Sequence, residues 1–220
     1  MVRAKGNFAG QRELMVHRQL RGRDIHDERV LEAMAKVPRE KFVSPRDTRD
    51  AYGDHPLSIG CGQTISQPYI VALMAQELDV RPEHRVLDVG AGSGYQTAVL
   101  AELAGHVFGI ERIAELTDRA AATLAELGIA NVTLTTGDGT LGWAEHAPYD
   151  RIVCGAAGPD IPPAWGEQLA DGGRIVMPTG GAEVQTLIAA DKHGKTITPR
   201  NICGVRFVRL IGEQGWADGP

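Results

Sequence analysis

Arg85-Val86-Leu87-Asp88-Val89-Gly90-Ala91-Gly92-Ser93-Gly94-Tyr95 reads as a buried strand that ends in a glycine turn and enters a helix at Ser93 or Tyr95. Gly90, Gly92 and Gly94 offer bare backbone, so the turn can take positive φ and a ligand can approach its amides closely. The spacing is G-x-G-x-G. A dinucleotide fingerprint is G-x-G-x-x-G, with its third glycine where the helix packs on the strand. Tyr95 holds that position here, which argues against a nicotinamide dinucleotide and an oxidoreductase. Taken alone, the run fits either a nucleotide-like ligand or a turn whose glycines serve packing only.

The residues that follow favour the ligand. A helix over Tyr95 to Ala104, with Gly105 as its C-cap, leads to the apolar run His106 to Ile110, closed by Glu111 and Arg112. An acid at the tip of a second strand can accept both hydroxyls of a ribose, each bond worth about 1.5–3 kcal/mol. The next helix, Ile113 to Glu126 ended by Gly128, reads as a packing element. A third strand, Asn131 to Thr136, runs into Gly137-Asp138-Gly139. There Asp138 sits where an acceptor for an adenine amino group is expected, or serves the turn geometry alone. Tyr149 to Cys154 is a fourth strand, followed by the small residues Gly155-Ala156-Ala157-Gly158. A helix from Pro163 to Leu169 and the turn Asp171-Gly172-Gly173 then give a fifth strand, Arg174 to Met177. Alternating strands and helices predict an α/β fold with a mostly parallel, doubly wound sheet that binds its ligand beyond the carboxyl ends of the strands. Asp88, Glu111, Asp138 and Ala156 all fall at such ends.

An acid ahead of G-x-G-x-G, here Asp88, resembles motif I of the Rossmann-like class I methyltransferases that use S-adenosylmethionine (AdoMet). Upstream, residues 52–69 form a glycine-rich stretch too long for an ordinary connector, and such loops are usually functional. Within it Gly60-Cys61-Gly62-Gln63-Thr64-Ile65-Ser66-Gln67-Pro68 matches the Gly-x-Gly-Gln-Thr-Ile-Ser-x-Pro mark of the protein-L-isoaspartate (D-aspartate) O-methyltransferase family. The resemblance spans nearly the whole chain, from Val37-Pro38-Arg39-Glu40-Lys41-Phe42-Val43 to Val205-Arg206-Phe207-Val208. It implies AdoMet as cofactor and isoaspartyl peptides and proteins as substrates, with repair through a succinimide. It also implies Ser66 as the active-site serine and Gln63, Thr64, Ile65, Asp88, Gly90, Gly92, Gly94, Glu111, Arg112, Asp138 and Gly139 as the cofactor site. Ile65, Ser66, Ala156 and Val208 would contact the substrate. Four positions depart from the usual pattern: Ser58, Cys61, Gly158 and Arg209. Of these, Arg209, where proline often follows Phe-Val, is expected to bear on peptide preference.

With 220 residues and no Pro/Ser-rich linker, the chain reads as one domain. Residues 1–80 would carry N-terminal helices, including Glu28 to Lys36 capped by Asp27, and the substrate loop. Residues 81–180 would form the AdoMet-binding core, and 181–220 late strands at the sheet edge and a tail. A net charge of −5 argues against a nucleic-acid surface, and no apolar run spans a bilayer. Three scattered cysteines read as reduced thiols, and they and seven scattered histidines show no metal-ligand spacing, so no metal is expected; with no secretory leader read at the start, the expectation is a cytoplasmic protein, taken as a monomer. Two other readings remain open: a carboxyl methyltransferase dedicated to one peptide or natural product, and a non-catalytic AdoMet-binding protein.

Overall fold

The computed structural model describes residues 7–181 and 183–219. Its centre is a seven-stranded sheet in the order β5-β4-β3-β6-β7-β8-β9. The strands are β3 (Arg85–Val89), β4 (His106–Glu111), β5 (Val132–Thr136), β6 (Tyr149–Cys154), β7 (Leu169–Gly180), β8 (Gln185–His193) and β9 (Thr196–Val205). β5 to β7 run parallel, whereas β8 is antiparallel to both of its neighbours. A separate hairpin, β1 (Leu57–Gly60) with β2 (Gln63–Ile65), precedes them. Among the described residues no helix is long and apolar enough to cross a membrane.

Side chains alternate across the strands and so divide the core in two. Val86, Val107, Val153 and Val176 face one cluster, which also holds the N-terminal helices α1 (Phe8–Met15) and α2 (Glu28–Lys36) with α3 (Pro68–Leu78), α4 (Tyr95–Ala101) and α5 (Ala114–Glu126). Leu87, Ile110, Ile152 and Ile175 face the other, under Trp165 of α6 (Pro163–Gln168). The chain steps outward from β3 to β5 with its helices on the first face, then returns to β6 on the far side of β3. Right-handed crossovers in opposite directions place their connections on opposite faces, so the strand order reverses between β3 and β6. A crevice opens at the carboxyl ends of those two strands.

Three local expectations change. β7 is longer than Arg174–Met177: it begins at Leu169 and takes in the Asp171–Gly173 turn, where Gly172 has φ +73° and the register with β6 shifts. α4 starts at Tyr95 and ends at Ala101, three residues before the predicted end. Gly105 is not a left-handed cap. A Cβ there would stand 2.7 Å from the Pro82 carbonyl oxygen, so glycine is needed for close approach to the preceding loop.

The N-terminal helices hold the segment that leads into β1. Asp27 caps α2 through the Arg29 amide (2.9 Å), and Tyr69 of α3 donates to Asp24 (2.7 Å). Arg39 is fully buried; its Nε donates to the Ala51 carbonyl (2.7 Å) and its guanidinium lies 4.8 Å from the centre of the Tyr95 ring. Replacing Arg39 by Met keeps much of that packing but strands a buried carbonyl, which should destabilise the fold by about 1–3 kcal/mol. Arg39→Ala should cost more, because a cavity is added. Urea unfolding of the two variants checks the order: native-like stability of Arg39→Met would show that the Ala51 bond contributes nothing, and equal losses in both would show that the cavity adds nothing.

Candidate active site

The glycine turn is built from two carboxylates behind it. Asp88, fully buried at the end of β3, accepts from Thr97 Oγ1 (2.6 Å) and Gln96 Nε2 (2.8 Å), and so ties the first turn of α4 to the strand. Glu111, at the tip of β4, accepts from the Gly92 amide through Oε2 (2.9 Å) and from the Ile113 amide through Oε1 (3.0 Å). Between them Gly90, Gly92 and Gly94 take φ of +75°, +55° and +85°. A Cβ on Gly94 would stand 3.1 Å from Ala120 Cβ, so this glycine lets α5 pack closely. A Cβ on Gly90 would have no protein neighbour nearer than the Gly155 backbone at 4.0 Å, so a side chain there would project into the crevice.

Two cavities meet at this point. One is a cleft lined by Gly90, Gly92, Glu111, Arg112, Gly139 and Ala156, roofed by Gln63 and Thr64 of β2 and by Val208 to Ile211. The other is an open groove of about 790 Å³ between the β2–α3 segment (Thr64, Ser66, Gln67, Ile70) and residues 183–185 and 204–208. Thr64, Gly155 and Val208 line both. Ser66 borders the groove and a small space beside Gly90 and Gly92, and its hydroxyl makes no hydrogen bond among the described residues.

The β1–β2 hairpin closes over the turn by way of three successive left-handed residues, Gly60, Cys61 and Gly62. Ile59 is buried, and its carbonyl accepts from Arg119 Nη1 of α5 (2.8 Å). Cys61 lines neither cavity; desolvation and the nearby Glu115 raise its thiol pKa, which leaves it a poor nucleophile.

The structure brings most of the expected residues to this place, with differences. Asp88 is enclosed, with both oxygens committed to α4, so it positions the turn and does not face the cleft. The Ile65 side chain is buried in the core, leaving its backbone to border the small space. Asp138 caps the turn Gly139–Leu141 through the Thr140 amide (2.9 Å), and its second oxygen accepts from the Glu213 amide (2.8 Å). Burial opposes ionisation of Asp138, but bonds from Thr140 and Glu213 and the Arg112 charge outweigh it and lower the pKa. Arg112 borders the cleft and pairs with Asp218 (2.8 Å). Arg209, like Ala156, borders the cleft and not the groove. The chain after Val208 is a part of the site that motif reading missed. Leu210 bonds to Ala157 (2.8 Å) and Trp216 returns to Leu210 (2.8 Å), which folds the tail across the Asp138 side of the cleft.

Burial pushes the Asp88 pKa up to about 6, a rise that Thr97 and Gln96 oppose and the Glu111 charge reinforces. An acid with a raised folded pKa stabilises the fold most below its unfolded pKa of about 4, and that contribution is lost as the pH rises through the folded value. Asp88→Asn removes this titration. Its stability relative to the native chain should therefore climb by up to about 3 kcal/mol between pH 4 and pH 7. Urea unfolding at the two pH values reads the change, and a constant difference would show that Asp88 keeps an ordinary pKa.

Comparison with known proteins places this geometry. The family model for "Protein-L-isoaspartate(D-aspartate) O-methyltransferase" matches residues 10–215. A protein-L-isoaspartate O-methyltransferase of Methanoregula boonei is 52% identical over 206 residues, covering 94% of this chain and 95% of its own. One from Syntrophobacter fumaroxidans is 50% identical, covering 96% and 98%. Among solved structures, a putative protein-L-isoaspartate O-methyltransferase from Plasmodium falciparum, in complex with S-adenosyl-L-homocysteine, superposes with a TM-score of 0.80. It is 26% identical and covers 94% of this chain and 99% of its own.

Proposed function

The chain belongs to the protein-L-isoaspartate(D-aspartate) O-methyltransferase family, and from that premise we infer that it methylates the carboxylate of L-isoaspartyl residues in damaged proteins and peptides with AdoMet. The ester then collapses to a succinimide, which opens the repair. The observation that carries this reading is the meeting of cleft and groove at Thr64, Gly155 and Val208, beside a serine hydroxyl that makes no hydrogen bond among the described residues.

The cleft suits AdoMet. Each Glu111 oxygen uses one acceptor site on a backbone amide, and a carboxylate has about four such sites, so both oxygens keep room for a ribose hydroxyl. Gly90 leaves the space a side chain would fill. Asp138 lies outside the cleft, in a neighbouring space that shares Arg112 and Ile211 with it, and retains one acceptor direction at its second oxygen for an amino group reaching there; Gly139 has no room for a Cβ, which would stand 2.5 Å from Val89. Bound AdoMet supplies an electrophilic methyl group on a positively charged sulfur. The protein's own task is then alignment. A carboxylate with a pKa of about 4 is ionised at neutral pH and needs no general base. Ser66 orients it from the groove, while backbone around Ile65 and Ala156 holds the peptide and the hairpin and tail exclude water. We propose in addition a cytoplasmic monomer, a reading in keeping with three cysteines that form no disulfide.

Glu111→Ala should weaken AdoMet binding by about ten- to a hundredfold, since ribose acceptors and the brace on Gly92 go together. Glu111→Gln should fall between the two, and calorimetry separates them. Unchanged affinity in both would remove Glu111 from the cofactor site.

Because the isoaspartyl backbone runs through an extra methylene, its carboxylate sits differently from that of an ordinary aspartate. A displacement of about 1 Å can cost roughly a hundredfold in an aligned reaction. Matched isoaspartyl and aspartyl peptides should thus differ by at least about a hundredfold in kcat/KM, with Ser66→Ala lowering kcat by up to about a hundredfold and leaving residual turnover. Equal rates for the two peptides would favour a dedicated client. Methylation of neither would oppose the enzyme reading altogether.

A further inference from the structure

One wall of the groove is made by chain that has left the sheet after β9 but is still held by hydrogen bonds. Pairing of β8 with β9 stops at Gln185 and Val205. Beyond that point the buried Gln185 side chain takes the part of a neighbouring strand. Its Oε1 accepts from the Phe207 amide (2.6 Å) and its Nε2 donates to the Phe207 carbonyl (3.1 Å). One residue later the Val208 carbonyl accepts from the Ala157 amide (2.8 Å). Arg206 is thus set on a rail fixed on both sides. Val208 marks the junction of cleft and groove, and Arg206 lies two residues before it, about 7 Å away at an extended rise of roughly 3.3 Å per residue. A peptide laid along this wall in extended form, with its reacting carboxylate at Val208, would bring a residue one or two positions from the methylated one level with Arg206.

The charge of Arg206 is available. Its side chain is exposed at the groove, and no carboxylate among the described residues lies within 4.0 Å of it. Many other arginines of the chain are paired, including Arg112 with Asp218 and Arg174 with Asp191 (2.6 Å). Among the described lining residues, Glu183 is the one other ionisable group of the groove. The protein as a whole carries −5, a background that disfavours acidic peptides at long range. Any preference for acidic neighbours must therefore come from a local cation.

We propose that Arg206 is a specificity-determining residue that favours isoaspartyl substrates carrying a second carboxylate, an aspartate or glutamate side chain, within two residues of the damaged site. The proposal rests on the methyltransferase reading above and names the substrate class of its groove. Since the guanidinium is solvated, the effect is modest. An exposed ion pair corresponds to about a two- to fivefold preference, and salt should erode it, because screening is strong beyond about 8 Å at physiological ionic strength.

The test uses the full chain and isoaspartyl peptides that differ only in having Glu, Gln or Lys at each of the two positions on either side. Turnover of the Gln peptides by the native chain establishes the activity independently, so its absence would count against the function and not against Arg206. The expected result is a Glu-over-Lys ratio in kcat/KM of about two- to fivefold at one or more positions, residing in KM and falling with added salt. Arg206→Gln should bring that ratio close to one, Arg206→Glu should invert it, and Arg206→Lys should retain its sign. A merely structural role would move all peptides together and leave the ratio intact. A ratio that is absent in the native chain, or that survives Arg206→Gln, overturns the proposal.

Discussion

The turn after β3 has to pass through three left-handed glycines and still end with α4 in a fixed position. Left alone, such a turn has many accessible conformations, since glycine restricts its neighbours least. The structure removes that freedom with two carboxylates from adjacent strands. Asp88 holds the first turn of α4 from inside the core, and Glu111 holds the Gly92 amide from the next strand. β3 and β4 pair in parallel with Asp88 opposite Gly109 and Val89 opposite Ile110, so the two acids arrive at their places through sheet register. The hairpin over the turn, the crevice beside it and the tail across Asp138 are all arranged around this braced backbone.

From that brace follows a division of space. The cleft is bounded mainly by strand ends and turns of the parallel core, with Gly90, Gly92, Gly139 and Gly155 among them. Apart from Gly155, the groove is bounded by segments outside the parallel core, residues 56, 64–70, 183–185 and 204–208. Walls fixed by a sheet suit a ligand of one fixed shape, whereas walls on irregular segments suit peptides that differ among themselves. The two arginines near Val208 fall on opposite sides of this division, Arg206 in the groove and Arg209 at the cleft.

How much of this the sequence displayed depends on the range of the interaction. The glycine turn, the acids at strand ends and the Gln63 to Pro68 segment are local patterns, and they name the crevice without any knowledge of packing. The longer β7 was not visible because Asp171-Gly172-Gly173 reads as a turn, yet Gly172 takes its positive φ within the strand at a register shift. Asp88 reads as a ligand because it precedes the glycines. Only the path of α4 shows that Gln96 and Thr97 consume its oxygens. Gln185 and the tail are further from view still, since a side chain that imitates a strand and a segment that folds across a distant turn leave no periodicity to read. Arg209 shows the limit most simply, because a departure from a family pattern marks a position without saying which cavity it borders.

The carboxylates of the crevice also explain the chemistry they leave out. Asp88, Glu111 and Asp138 each spend oxygens on holding the chain: on Gln96 and Thr97, on the amides of Gly92 and Ile113, and on those of Thr140 and Glu213. At the junction of cleft and groove the lining residues are Thr64, Gly155 and Val208, with Ser66 beside them, and none of these is a base at neutral pH. A site that had to remove a proton from its nucleophile would need a titratable group within hydrogen-bond reach of that place. A substrate that arrives as a carboxylate needs none, and any fixed negative charge at the junction would repel it. Neutral donors at the meeting point, with the acids engaged in holding the chain behind it, are what such a nucleophile requires.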